Sequence, residues 1–253
     1  MKVVIIGSGN VAGVLGKKII EAGHAIIEVV GRNKTAVSVL AKSFNAKPTF
    51  SINTVTTLAD IYIIAVADHA IQQIADELRV NDKLVVHTAA AIPMNVLSLC
   101  SDRYGVLYPL QTLKNGLDLV PPIPVLIDGD DESTREMLKD FCSNWAHSVS
   151  VATDQQRLKV HLSAVFVNNF INHLMTVTNI YCEENKIDIE LLQPLIQQTL
   201  SVIKGGNAAN VQTGPARRND IVTIEKHRLI LAEHPSMLLL YNQITQSIID
   251  FYH

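Results

Sequence analysis

The sequence predicts an α/β fold, a doubly wound parallel sheet over residues 1–153, followed by an all-α domain over residues 154–253. Three features predict it. Up to residue 152, short apolar runs rich in β-branched residues alternate with amphipathic helical stretches, which implies parallel strands joined by right-handed crossovers. From Asp154 onward no strand pattern recurs, and helical stretches cover 154–184, 190–204, 219–233 and 235–252. The first strand also passes without a spacer into the turn Gly7-Ser8-Gly9-Asn10-Val11-Ala12-Gly13, which itself opens a helix.

The elements follow in order. Val3-Val4-Ile5-Ile6 is too short for a helix and apolar throughout, as a strand covered on both faces should be. After the turn, Val11, Leu15 and Ile19 recur at fourfold spacing, Lys17, Lys18 and Glu21 take the other face, and Gly23 stands where a left-handed C-terminal cap is wanted. A second strand covers 25–30. Val37, Leu40, Ala41 and Phe44 make a short helix that ends before Pro48. The strand at 61–66 leads to Asp68, expected to cap a helix carrying Ile71, Ile74, Ala75 and Leu78. Strands at 83–87 and 105–108 flank a short helix after Pro93. Beyond Pro121-Pro122-Ile123-Pro124, the stretches 125–128, 132–146 and 148–152 read as a last strand-helix-strand unit.

The glycine turn carries a chemical reading. Gly7 permits a tight turn, Gly9 lets the backbone approach a pyrophosphate, and Ala12 or Gly13 lets helix and strand pack closely. The helix N-terminus then offers unbonded N–H groups and a partial positive charge to phosphates. The expected cofactor-binding residues here are Gly7, Ser8, Gly9, Asn10 and Val11. At the tip of the second strand, where an acid would hold the ribose hydroxyl of NAD, the chain has Gly31-Arg32-Asn33-Lys34. Glu28 lies inside the strand, about two residues too early. Arg32, with Asn33 behind it, suits a 2′-phosphate, so the expected cofactor is NADP. Ligands of such sheets lie beyond the carboxyl ends of the strands, which adds Ala67 and Thr88 on the cofactor side and His87, Tyr108 and Gln111 towards a substrate. His87 has two readings, a hydrogen-bonded structural ring or a substrate contact.

The bulk numbers exclude other classes. The chain has 253 residues, 48% apolar and 5% aromatic, enough for an aliphatic core in one large or two ordinary domains. A net charge of −3 with interspersed signs gives no nucleic-acid footprint. Cys100, Cys142 and Cys182 are far apart and form no metal-binding pattern, so no metal is expected. The first strand begins at residue 3 and no apolar stretch reaches membrane length, which reads as a cytoplasmic protein without a membrane partner.

In the helical half, His161, Asn168, Asn172 and Asn179 are spaced to share one helix face. Either they bond a neighbouring helix, or the His161–Asn168 part lines a cleft, where a histidine acts as acid or base near neutral pH. Gly214-Pro215 forces a turn, and Asp220 or Asn219 caps the helix after it. The adjacent Arg217 and Arg218 suit a carboxylate or phosphate, or are a charged helix start.

The stretches GSGNVAG, AGH, VGRN, IIAVAD and HTAAA resemble the Rossmann domain shared by pyrroline-5-carboxylate reductase, the deazaflavin-dependent NADP reductases and the 6-phosphogluconate dehydrogenase superfamily. With GVLYPLQTL, VHLSAVFVNNF and TGPARRND, the whole chain is similar to a bacterial group of Rossmann-like proteins with a helical C-terminal domain of unknown function. The resemblance implies that the helical domain dimerises and closes the active-site cleft. Dehydrogenases of the hydroxyisobutyrate and 6-phosphogluconate type carry a lysine three or four residues before an asparagine on the first helix after the Rossmann domain. Here those positions hold Ala164, Val165 and Phe166, so the lysine mechanism is unsupported. Pyrroline-5-carboxylate reductases lack such a lysine, although TGPARRND is not their substrate motif.

The leading expectation is an NADP-dependent oxidoreductase moving hydride to or from a small anionic imine or carbonyl substrate. His161 would transfer the proton, Asn168 and Gln111 would orient the substrate, and Arg217 or Arg218 would hold its charge. A non-catalytic NADP-binding sensor or partner-binding protein is the alternative, and an assembly scaffold is the third reading.

Overall fold

The computed structural model describes residues 1–116, 120–204, 206 and 208–253. By internal contacts the chain divides into two units, Met1–Val167 and Asn168–His253. In the first, β1 (Lys2–Ile6), β2 (Ala25–Val30), β3 (Lys47–Thr49), β4 (Ile61–Ile64), β5 (Asn81–His87), β6 (Ser101–Pro109), β7 (Pro124–Gly129) and β8 (Ser148–Val151) form one sheet. Their order is β3-β2-β1-β4-β5-β6-β7-β8. Helices α1 (Asn10–Glu21), α2 (Lys34–Ser43), α3 (Asp68–Glu77), α4 (Glu132–Cys142) and α5 (Asp154–Ala164) belong to the same unit. Val3 and Ile5 join one buried cluster while Val4 and Ile6 join another, so β1 is covered on both faces, as its unbroken apolar run requires.

The chain runs from β1 outward to β2 and β3, then returns across β1 to β4, and this reversal places the switch point between β1 and β4. Gly7 makes the reversal close. Its φ of +131° is open mainly to glycine, and a Cβ there would collide with the carbonyl oxygen of Ala65 just past β4. Gly23 closes α1 as expected, with φ +84° and its N–H donating to the carbonyl of Ile20.

Three details differ from expectation. Strands β1, β2, β3, β4, β5 and β6 are parallel, but β7 runs antiparallel to β6, and β8 pairs parallel with β7. A parallel return needs a crossover, usually helical, and Pro121-Pro122 cannot supply one. Asp68 is the first residue of α3, and the cap position is Ala67, without a side-chain bond. The stretch at 154–184 is not one helix: a π-helical turn, Val165–Phe170, separates α5 from α6 (Ile171–Glu184). The wider turn breaks the 3.6-residue phase, so His161 does not share an uninterrupted face with Asn168, Asn172 and Asn179.

The contact boundary at Val167 lies beyond the change of pattern at 153 because α5 is bonded into the first unit. The second unit continues with α7 (Gln193–Lys204), α8 (Ala208–Val211), α9 (Ile221–Ile230) and α10 (Pro235–Tyr252). Asp220 caps α9, its carboxylate accepting from the Thr223 N–H at 3.1 Å. No helix among the described residues is long and apolar enough to cross a membrane.

Replacing Gly7 by Ala should lower unfolding stability by about 3 kcal/mol, from the combined backbone and contact penalties. Urea unfolding measures this, and an unchanged midpoint and slope would contradict the packing described.

Candidate active site

The carboxyl ends of β2, β1, β4, β5 and β6 lie along one edge of the sheet, and the candidate residues follow them in that order. At the centre, Gly9 is the N-cap of α1, makes no side-chain cap bond, and has no acidic residue in the turn after it. A Cβ on Gly9 would meet open space. The first N–H groups of α1 therefore remain uncapped by side chains beside an open approach, which fits a diphosphate. Ser8 and Val11 flank this turn. Asn10 turns its Oδ1 to accept from the Asn115 N–H at 3.1 Å, and Asn115 Nδ2 donates to the Gly9 carbonyl at 3.4 Å. The loop after β6 thus braces the turn.

Beyond β2, Arg32 lines a cavity of about 350 Å³ together with Phe50, Ser51, Ala67, His69 and Gln73. Asn33 caps α2, its Oδ1 accepting from Ala36 N–H at 3.1 Å. The Lys34 ammonium stands 5.9 Å from the centre of the Phe50 ring. Glu28 is fully buried: it accepts from the Thr49 hydroxyl and, at 2.7 Å, from the Thr56 N–H, with Lys47 Nζ at 3.2 Å. Its carboxylate ties β2 to its neighbours, which leaves Arg32 and not an acid at the strand tip. Phe50, Ser51 and Gln73 were not foreseen. The first two follow the three-residue strand β3, too short to register as a period, and Gln73 lies more than a turn into α3, away from the strand end.

At β5 the loop is held backbone atom by backbone atom. Thr88 N–H donates to the Ile64 carbonyl at 3.1 Å, and Ala89 N–H donates to His87 Nδ1 at 3.2 Å. His87 has 0% exposure, so its reading as a substrate contact is corrected: the ring supports the loop from beneath. Burial, reinforced by the Arg157 charge, pulls its pKa down to about 4, with the Pro93 carbonyl and Asp154 pulling less strongly upward. The ring is neutral at pH 7, as an accepting Nδ1 requires.

Past β6, the Tyr108 hydroxyl shares a hydrogen bond of 3.0 Å with His161 Nδ1, and the rings meet edge to face at 6.0 Å. Burial raises the phenol pKa, the Asp68 charge adds to this and Arg157 opposes it, so Tyr108 keeps its proton through neutral pH. Gln111 spends its amide on its own loop, donating to the Pro122 carbonyl at 3.1 Å and accepting from the Thr112 N–H at 2.9 Å.

One relative decides the kinship. The solved structure of a Bacteroides fragilis protein, provisionally assigned as an NADP oxidoreductase, is 32% identical, covers 98% of both chains and superposes with a TM-score of 0.88. The chain belongs to this NADP oxidoreductase family. The family model described as NADP oxidoreductase, coenzyme F420-dependent, matches residues 2–91, and that of the domain of unknown function DUF2520 matches residues 123–248. NADP is the family's cofactor. An imine reductase of Myxococcus stipitatus in complex with NADP+ shares the fold at 15% identity and TM-score 0.67, covering 100% of this chain and 96% of that one. A pyrroline-5-carboxylate reductase of Coxiella burnetii does so at 16% and 0.59, covering 99% and 96%. No curated protein matches the chain.

In the second unit, Asn168 lies exposed in the π-helical turn. Arg217 holds its guanidinium 4.4 Å from the centre of the Tyr252 ring, while Arg218 is exposed. Among the described residues no group of three or more His, Cys, Asp or Glu side chains is placed to hold a metal ion.

His87 sets a pH dependence. Its folded pKa lies below the unfolded value near 6.5, so the unfolded chain takes up the proton first as pH falls from 6.5 towards 4. Stability should therefore drop across that window by about 3 kcal/mol from this residue. Urea titrations at pH 7 and pH 4 should show a smaller difference for His87→Gln than for wild type, and equal differences would contradict the assignment.

Proposed function

We propose that this protein reduces, or forms by oxidation, a small anionic imine or carbonyl compound with NADP(H). The observation that carries this reading is the Tyr108–His161 hydrogen bond at the edge that also holds the uncapped α1 turn. Bound NADPH would supply the hydride. In that arrangement the first N–H groups of α1 bind the diphosphate, and the Arg32 guanidinium grips the 2′-phosphate. Ala67 and the Thr88–Ala90 backbone are small enough to let a nicotinamide ribose lie against them. The Tyr108 hydroxyl, protonated and bonded to His161, gives a proton to the substrate nitrogen or oxygen, and the imidazole renews it. In the second unit, Arg218 is the arginine of the pair whose charge is available to an anion.

The partner expected beside a small-molecule substrate is a second copy. The second unit exposes the large apolar side chains Leu191, Leu195, Val222, Leu229, Leu239 and Phe251, the residue types that a subunit interface buries. Light scattering after size-exclusion chromatography should give twice the chain mass, and a monomer at micromolar concentration would remove this part of the reading.

Titration of nicotinamide fluorescence should show tighter binding of NADPH than of NADH. Arg32→Ala should weaken NADPH about ten- to a hundredfold and leave NADH nearly unchanged, the size of lost hydrogen bonds to a charged group. Equal affinity for both cofactors would contradict the role of Arg32. His161→Ala should retain NADPH binding while slowing hydride transfer to a panel of cyclic imines and keto acids by about a hundredfold or more.

A further inference from the structure

Arg157 is the largest fully buried side chain of the first unit, and 1% exposure is costly for a permanent cation. Its bonds run to a segment more than sixty residues away. Nε donates to the Ala90 carbonyl at 3.1 Å and Nη2 to the Ile92 carbonyl at 2.6 Å, while Nη2 also meets Asp154 Oδ1 at 2.7 Å. The Asp154 carboxylate accepts in turn from the Met94 N–H, at 3.1 Å to each oxygen. The first turn of α5 is itself locked by a capping box between Thr153 and Gln156. Three backbone groups of the segment after β5 are thus clamped by two side chains one turn apart on α5. One turn further along that helix is His161, bonded to Tyr108.

A guanidinium offers a rigid fork of donors, which an apolar side chain of the same volume would not. Packing alone does not need the charge. Fixing two carbonyls at set positions does.

We infer that Arg157, assisted by Asp154, is a positioning residue that sets the separation between the Thr88–Ala90 backbone and the Tyr108–His161 pair, and so holds the nicotinamide half of the cofactor in register with the proton donor. The inference rests on the NADP(H) reading above. Arg157 touches neither cofactor nor substrate in this assignment. Its effect passes through the carbonyls of Ala90 and Ile92 and through the axial position of α5.

The test separates the two halves of the cofactor. NADPH reports the whole cleft, and 2′,5′-ADP reports the adenosine half alone. In Arg157→Met, the dissociation constant for NADPH should rise about tenfold, the enhancement of nicotinamide emission on binding should be lost, and 2′,5′-ADP should bind within about twofold of wild type. Arg157→Lys, which keeps one charged donor group, should recover part of the emission signal. Asp154→Ala, which removes a carboxylate that is 45% exposed and leaves Arg157 its bonds to the Ala90 and Ile92 carbonyls, should weaken NADPH about threefold with 2′,5′-ADP unchanged, and it keeps the test valid if Arg157→Met does not fold. Wild-type NADPH affinity and emission in folded Arg157→Met and in Asp154→Ala would overturn the inference. Equal weakening of both ligands would overturn it too, since it would show a merely structural role. Failure of the wild-type protein to bind either ligand would instead defeat the NADP(H) reading itself, and the positioning role with it.

Discussion

The close passage of Gly7 against the carbonyl of Ala65 is the contact on which the rest of the first unit depends. It lets the chain leave β1 and begin α1 without climbing away from the sheet, so the uncapped N–H groups of that helix stay at the sheet edge. Because the strand order reverses between β1 and β4, this edge is also where the chain opens in both directions. Arg32 lies to one side, at the tip of β2. The His87–Ala90 segment and Tyr108 lie to the other, at the tips of β5 and β6. A side chain at position 7 would push the turn off the carbonyl and disturb both sides together.

Polar groups around this edge are used in complementary hydrogen-bonding roles. Neutral His87 accepts from Ala89, the Arg157 guanidinium donates to Ala90 and Ile92, and the Asp154 carboxylate accepts from Met94. Successive backbone groups of one loop are met by an acceptor, then donors, then an acceptor. Arg157 helps keep His87 neutral, because a second cation beside a buried guanidinium is disfavoured. The same Arg157 charge opposes the rise in the Tyr108 pKa, which burial nevertheless dominates.

What was legible in the sequence was local. The apolar run before Gly7, the cap at Gly23, the absence of an acid at the tip of β2 and the cap at Asp220 are each decided within a few residues, and each stands in the structure. The family follows from the same stretches. What was not legible depends on distant partners. The neutral state of His87 depends on its burial and on the charge of Arg157, seventy positions away. The antiparallel return to β7 was foreshadowed by Pro121-Pro122, but prolines at a loop say only that no helix forms there. The π-helical turn at Val165–Phe170 carries no glycine or proline to announce it, and it undid the expected polar stripe. The three-residue β3 is held largely by Glu28, whose buried carboxylate resembles a misplaced ribose ligand until its partners are seen. Phe50 and Ser51 were missed for that reason.

In the binding mode proposed above, one sheet edge receives a dinucleotide with its phosphates on α1, its 2′-phosphate on Arg32 and its nicotinamide beside Thr88–Ala90 and Tyr108–His161. A crystal structure of the protein with NADP+ tests this most directly. Diphosphate oxygens are expected within hydrogen-bonding distance of the N–H groups of Gly9, Asn10 or Val11, the 2′-phosphate on the Arg32 guanidinium, and the nicotinamide ring against the loop after β5. Density for the cofactor in the reverse orientation, or bound away from the Gly9 turn, would contradict it.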